Sequence, residues 1–428
     1  MSTAIPHADS GESNEQLSVA DGDLPAHFNP AELKLYNTLT RSQTAFTPIE
    51  PGKVRMYVCG PTVNDVPHLG HARQQITYDV LRRHLSFLGY EVRFASNITD
   101  VDDKIINKAQ ELNESLATLT ARNLESHIQD YEAIGVLPPH IRPKATEHIG
   151  DMIDLISVLE DKGFAYTIEG DGVYYDISKF PEYGKLSKQD LTKLESGTRV
   201  GAKEGKRNPG DFALWKFSKP SEPKWNSPWG EGRPGWHIEC SAMSAAVLGK
   251  TIDIHGGGQD LIFPHHEDEI AQSEAAHGVP LANIWMHNGM VNVDKIKMSK
   301  SLGNFKTIRD LLKEYDGKVI RYFVISTHYR KPVDFTSEAL NDAKISYKRL
   351  CQKASAITDD GIREGNRAYV GAFIDAMNND MNTPKALAVL WKLMKDTSVR
   401  GRRETIRNID TVLALGLLES DSSPDIPL

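Results

Sequence analysis

Residues 54–95 read VRMYVCGPTVNDVPHLGHARQQITYDVLRRHLSFLGYEVRFA, and the order of their patterns decides the fold. Val54 to Cys59 is a run of β-branched, aromatic and apolar residues that ends at Gly60-Pro61, which predicts a strand and then a turn. Past His68 to His71, the apolar residues Ile76, Val80, Leu81, Leu85 and Leu88 recur at helical spacing, and Glu91 to Ala95 reads as a second strand. Strand, helix and strand within about forty residues make a βαβ unit, whose crossover implies a parallel sheet with ligands at the carboxyl ends of its strands. The expected class is α/β, with a Rossmann-like parallel-sheet domain.

Working outward, the chain has 428 residues, 39% hydrophobic and 25% charged, a balance that excludes collagen-like and wholly disordered chains. At this length two to four domains are expected, because single cores stop growing at roughly 250–300 residues. No apolar run approaches the ~18–20 residues of a membrane-spanning helix, so no membrane partner is expected. Cys59, Cys240 and Cys351 are too scattered for a disulfide framework, which points to a reducing compartment, the cytoplasm. Before Lys34 there is neither Lys nor Arg, but there are six acidic residues from Asp9 to Glu32 and no apolar stretch. That pattern excludes a secretory signal and an Arg-rich transit peptide and predicts a disordered arm over 1–33. The net charge of −8 neither selects nor excludes a nucleic-acid partner, since only a local basic face is required.

The pattern divides the chain further. The first half of the sheet domain is expected over 34–135 and an inserted segment over 136–230, where prolines (Pro138, Pro139, Pro143, Pro181) and tryptophans (Trp215, Trp225, Trp229, with Trp236 beyond) cluster. The second half is expected over 231–290, a linking region with a Lys-rich loop over 291–335, a helical bundle over 336–418 and a tail over 419–428. In the bundle, Leu340, Ala343, Tyr347 and Leu350 fall at helical spacing, Thr383-Pro384 reads as an N-cap and first-turn pair, and a last helix near Glu404 to Leu415 stops at Gly416.

Three constellations carry chemistry. His68-Leu69-Gly70-His71 lies where strand gives way to helix; two imidazoles three residues apart at a helix N-terminus suit a phosphate, although alone they read equally as a cap. Lys297-Met298-Ser299-Lys300-Ser301 offers two ammonium groups and two hydroxyls, and alone reads as a solvated loop. Cys59, Cys240 and the run His265-His266-Glu267-Asp268-Glu269 provide thiol, imidazole and carboxylate ligands of the types zinc accepts, with His265 and Glu269 four apart; each segment alone reads as a buried cysteine or a charged helix start. Asp100, Asp102 and Asp103 suit a solvated or capping role, and Cys351, at an apolar position of a predicted helix, suits a small buried hydrophobe.

The pairing of HLGH with KMSKS resembles the class I aminoacyl-tRNA synthetases, and with the third constellation the chain is similar to the cysteinyl-tRNA synthetase family. The resemblance runs from about Leu35 to Leu418 and includes Asn97-Ile98-Thr99-Asp100, Lys206-Arg207-Asn208-Pro209 and His255-Gly256-Gly257-Gly258. It implies one zinc ion held by Cys59, Cys240, His265 and Glu269, and ATP bound with Mg²⁺ by His68, Gly70, His71, Met298, Ser299 and Lys300. His68, His71, Lys297 and Lys300 are implied as catalytic. L-cysteine is implied to bind against Thr62, Thr99 and Trp236. Residues 291–335 become the KMSKS and stem-contact region, and tRNA-Cys the macromolecular partner of a monomer, with Lys203, Lys206, Arg207, Lys216 and Lys224 on the acceptor-stem phosphates. The chain departs from the family at Asn64, where an aromatic is common, and at its end, where the family's C-terminal anticodon-binding domain has no counterpart.

The implied reaction is ATP-dependent activation of cysteine to an adenylate and its transfer to the 3′ end of tRNA-Cys, with zinc–thiolate recognition rejecting serine. Two alternatives are a cysteine ligase acting on an amino-sugar amine, as in the mycothiol pathway, and a non-catalytic RNA-binding paralogue. Retained HLGH, KMSKS and Glu269 favour the first reading.

Overall fold

The structure, a computed structural model, describes residues 33–189, 205–293, 296–297 and 306–419; the side chain of Lys297 is outside the description. The arm up to residue 32 is likewise outside it, whereas Leu33 is buried in the main core.

The N-terminal hairpin β1 (Lys34–Asn37) and β2 (Ser42–Ala45) is followed by β3 (Lys53–Val58), α1 (Leu69–Phe87) and β4 (Glu91–Ser96), the βαβ unit. Two helices, α2 (Asp103–Leu112) and α3 (Leu116–Ala133), lead into α4 (Ile149–Asp161) and the antiparallel sheet β5 (Ala165–Ile168), β6 (Gly172–Tyr175), β7 (Phe212–Phe217) and β8 (Gly232–Pro234). The chain returns through α5 (Trp236–Leu248), β9 (Ile252–Gly258), α6 (Glu267–His277) and β10 (Ala282–Asn288). The main sheet has the order β10-β9-β3-β4 and is parallel throughout. From β3 the chain crosses to β4 on one side, while β9 lies on the other. A crevice therefore opens at the carboxyl ends of β3 and β9, the switch point where such sheets bind ligands.

Beyond it come β11 (Val291–Val293), β12 (Ile296–Lys297), α7 (Ile308–Leu312), α8 (Gly317–Ile325) and β13 (Val333–Phe335), with β11 between β12 and β13. The helices α9 (Ser337–Ser355), α10 (Arg367–Asn378), α11 (Thr383–Lys395) and α12 (Arg402–Leu413) complete the described chain. One apolar core runs from the main sheet through α1 into these helices. A second joins the inserted sheet to α4, α5 and α6 through Met152, Trp215, Met243 and Ala271.

The helix α1 is buried on most of its circumference, so its polar residues must find partners inside. Asp79 is paired with Arg321 at 2.5 Å, and both side chains are sealed from solvent. His84 Nε2 meets Asn378 Oδ1 at 2.8 Å, which bolts α1 to α10. Two expected boundaries shift. The N-cap of α11 is Asn382, whose side chain accepts from Lys385 N, so Thr383 is the first helical residue and Pro384 the next. The last helix ends at Leu413, because Ala414 turns left-handed at φ 53° before Gly416 is reached.

Candidate active site and metal centre

A cavity of about 470 Å³ opens at the switch point, lined by Cys59, Thr62, His68, Gly70, His71, Trp236, Gly258 and Gly289 among others. Gly60 is required where β3 ends, since a Cβ there would lie 1.7 Å from the carbonyl oxygen of Asn97. The turn brings Cys59 to the floor and the HLGH segment to the rim.

His68 and His71 do not simply share one helical face. His68 is the N-cap of α1, in extended conformation, and its Nδ1 accepts from Gly70 N at 3.0 Å. His71 Nδ1 accepts from His68 N at 3.2 Å, so the two close a reciprocal cap with their rings 3.9 Å apart. A nitrogen that accepts carries no proton, so both neutral rings bear theirs on Nε2. The cap thereby fixes two imidazole N–H donors at the cavity rim, on the positive end of the helix. The geometry that caps the helix is also one that suits an anion.

Cys59 lines the cavity, and with Cys240, His265 and Glu269, which are not among the lining residues, it brings one ligand atom each within 4.8 Å of all the others; all four residues are buried. Tetrahedral ligands on bonds of ~2.3 Å stand about 3.7 Å apart; the two sulfurs are 3.6 Å apart. Glu269 Oε1 lies 3.2 Å from Cys59 Sγ and 3.1 Å from His265 Nε2. His265 does not share a helix with Glu269 in the way the spacing predicts. It sits on an irregular turn, Ile262–His266, whose Phe263 is extended, and α6 starts at Glu267.

The charges show what the set is built for. Burial, then Cys240 and Glu269, push the Cys59 thiol well up. Burial would also raise Cys240, but the hydrogen bond with Cys59 and the nearby His265 bring it to about 6. Against burial, Glu269 and Cys240 raise His265 to about 10, and His255 with His265 holds Glu269 well below the usual carboxylate range. Cys59 thus keeps its proton and His265 carries the positive charge that balances Glu269 and Cys240; thiol, imidazole and carboxylate are the donor types a metal ion such as zinc accepts, and the set fits one. Around it, His255 Nε2 meets Glu269 Oε2 at 2.8 Å under the stacked ring of Trp285, and His266 Nδ1 meets His287 Nε2 at 2.8 Å. His287 Nδ1 in turn meets Thr38 Oγ1 at 2.7 Å. Such outer partners orient ligands.

Trp236 opens α5, lines the cavity and stacks on His265 with centroids 4.3 Å apart; Cys240 follows one turn later. Thr62 lines the cavity, but Thr99, bridged to it, is buried and is not among the lining residues. Its hydroxyl donates to Glu239 Oε2 at 2.6 Å, and burial raises Glu239 well above the usual carboxylate range.

Met298, Ser299, Lys300 and Ser301 fall outside the described residues. The described flanks are fixed beside the cavity: Lys297 pairs with Asn292 in the β11–β12 ladder, and Leu69 N donates to Lys306 O at 3.0 Å, next to His68. Lys203 is also outside. Of the other basic residues of the insert, Lys216 is paired with Asp103 at 2.6 Å, Lys224 with Glu231 at 2.5 Å and Arg207 with Asp176 at 3.2 Å, while Lys206 lies over the Tyr174 ring. Asp102 caps α2, as expected.

Sequence reading missed α3. Asn123 Nδ2 donates to Val63 O, His127 Nε2 lies 3.0 Å from Asp65 O with its ring against His71, and Asp130 pairs with Arg309 just past the KMSKS segment. The signal was there: Asn123, Ser126, His127 and Asp130 form a polar stripe at helical spacing, and the structure buries it.

Residues 45–345 match the family described as the tRNA synthetases class I (C) catalytic domain, and residues 372–416 match the DALR domain. The chain is 50% identical over 386 residues to the cysteine–tRNA ligase of Vibrio atlanticus (strain LGP32), covering 90% of this chain and 83% of that protein. It is 50% identical over 394 residues to that of Delftia acidovorans (strain DSM 14801 / SPH-1), covering 91% and 86%. Among solved structures, Mycobacterium tuberculosis methionyl-tRNA synthetase in complex with methionyl-adenylate superimposes with a TM-score of 0.60 at 15% identity, over 85% of this chain and 90% of that one. At that identity the likeness concerns the fold alone.

Proposed function

The chain belongs to the cysteine–tRNA ligase family of class I synthetases, and from that membership we propose that it activates L-cysteine with ATP and transfers it to the 3′ end of tRNA-Cys. The observation that carries the reading is the buried set of two thiols, an imidazole and a carboxylate, which reaches through Cys59 the cavity that the HLGH cap also lines.

A carboxylate is already ionised at neutral pH, so the first step needs no general base. The cysteine carboxylate attacks the α-phosphorus of ATP, the P–O bond to pyrophosphate breaks, and cysteinyl-adenylate remains. The protein's contribution is alignment and stabilisation of phosphate charge. His68 and His71 donate through Nε2–H to the phosphates of ATP, which enters with Mg²⁺. Lys297 and Lys300 meet the charge that grows on pyrophosphate, and Met298, Ser299 and Gly70 complete the nucleotide seat. In the second step a terminal ribose hydroxyl of tRNA attacks the adenylate carbonyl and AMP leaves.

Cys59, Cys240, His265 and Glu269 hold zinc, which when bound supplies a Lewis acid that retains a thiolate and gains little from serine's neutral hydroxyl. Ordinary pocket contacts separate near-isosteres poorly, so this set accounts for specificity. Trp236 and Thr62 wall the amino acid, with Thr99 behind them. Functionally, residues 34–135 and 231–290 form the catalytic fold, 136–230 the insert that meets the acceptor stem, 291–335 the KMSKS and stem-contact region and 336–418 the bundle. Among the described residues no helix is long and apolar enough to cross a membrane; we read the protein as a cytoplasmic monomer.

The test is cysteine-dependent ATP–pyrophosphate exchange, followed by transfer to tRNA-Cys and to amino sugars. Exchange with tRNA charging is expected. Exchange with amino-sugar transfer alone would move the chain to the small-amine ligases, and absence of exchange would leave it a non-catalytic paralogue.

A further inference from the structure

Asp380 lies in the turn between α10 and α11, far in sequence from the cavity, and it is fully buried. Its backbone is left-handed, at φ 58°, a conformation Asp and Asn tolerate better than most residues. Its amide donates to Lys34 O at 2.9 Å, which ties the turn to β1. The carboxylate gathers four further groups: Tyr36 N at 2.9 Å and Tyr329 OH at 2.7 Å on Oδ1, and Arg330 Nε at 2.6 Å and His328 Nε2 at 3.7 Å on Oδ2. Three of the four come from one loop, residues 328–331.

That loop is held on its other side by the nucleotide cavity. Tyr329 O accepts from Gly289 N at 2.7 Å, and Gly289 lines the cavity. The contact is tight, because a Cβ on Gly289 would lie 2.4 Å from Lys331 O. Arg73, two residues past His71 on α1, spends its guanidinium on the carbonyls of Val324, His328, Tyr329 and Lys331 at 2.8–3.2 Å. A buried carboxylate therefore anchors, from below, the loop on which both Gly289 and the HLGH helix rest from above.

We propose that Asp380 is a positioning residue for the nucleotide: from the helical bundle it fixes the 328–331 loop, and through that loop the Gly289 wall and the seat of α1. The proposal rests on the reading that ATP occupies this cavity. It gives the bundle a part in adenylate formation, a step that takes place without tRNA.

Asp380→Asn tests it. Asn accepts the same backbone conformation and keeps one acceptor, but it has no charge for Arg330 and no second acceptor oxygen. In pyrophosphate exchange by the full chain, the KM for ATP is expected to rise roughly tenfold, the worth of one hydrogen bond to a charged group, with the KM for cysteine and the zinc content unchanged. Tyr329→Phe approaches from the loop side and leaves the bundle intact; it should shift the same constant. The two changes remove different bonds of one carboxylate, those of Arg330 and of Tyr329, so the double variant should raise the KM for ATP beyond either single one. An unchanged KM for ATP in both variants, or equal rises for ATP and cysteine, would overturn the assignment. His71→Asn separates the two levels. If that change leaves exchange untouched, the placement of ATP fails; if it slows exchange while Asp380→Asn and Tyr329→Phe leave the KM for ATP alone, only the role of Asp380 fails.

Discussion

His71 has two jobs on two nitrogens, and substitutions can divide them. Its Nδ1 accepts from His68 N and closes the cap of α1, while Nε2 holds the proton that the proposed function directs to phosphate. Asparagine places an amide oxygen near the Nδ1 position and stops short of Nε2. Glutamine brings an amide N–H to the Nε2 position and has no acceptor at Nδ1. A lost cap costs about 1 kcal/mol, whereas a lost preorganised donor to developing charge costs about 2.7–4 kcal/mol, or roughly 10²–10³ in kcat. His71→Asn is therefore expected to unfold in urea within about 1 kcal/mol of the parent while losing roughly 10²–10³ in exchange kcat at saturating ATP and cysteine. His71→Gln should be the less stable of the two and yet exchange at least about tenfold faster than the Asn variant. Equal rates in the two variants, or a parental rate in the Asn variant, would refute the assignment of the donor to Nε2.

Cys240→Ser should lower both bound zinc and cysteine affinity, because it removes one of the four buried residues proposed to hold the ion, and full zinc occupancy by metal analysis would remove Cys240 from the set. Lys300→Ala should slow adenylate formation far more than it weakens cysteine binding, because its partner charge develops only in the transition state; equal losses would mean a general structural role. Burial holds His84 at about 4, against the hydrogen bond its Nε2 donates to Asn378 Oδ1, which favours the charged form, while the unfolded side chain titrates near 6.5. The unfolded chain thus takes up the proton first. The contribution of His84 is complete above about pH 6.5 and is lost as the pH falls toward 4, by about 3 kcal/mol in all. Urea unfolding from pH 7 to 4.5 should show this slope and His84→Gln should flatten part of it; an identical slope in the variant would contradict the burial argument.

The sequence by itself determined what local patterns carry. The strand–helix–strand unit was legible because periodicity and turn residues act over a few neighbours, and its boundaries fell within a residue, the strand ending at Val58 where Cys59 was expected and the helix starting at Leu69 after the His68 cap. The metal-capable set was legible from ligand types, although the expected reason for its closeness, one helical face for His265 and Glu269, was not the operative one; an irregular turn delivers His265. The tertiary structure alone decided what depends on residues far apart in the chain. It turned His68 and His71 into a reciprocal cap, buried the Thr99 hydroxyl on Glu239, and gave Lys216 and Lys224 acidic partners. It also set the polar stripe of α3 beneath the HLGH turn and Asp380 beneath the loop that supports the cavity. A polar residue on a helix has the same local pattern whether solvent or a distant carbonyl will face it. Only the packed fold selects its partner, and with it the difference between a solvated group and one that must be satisfied inside.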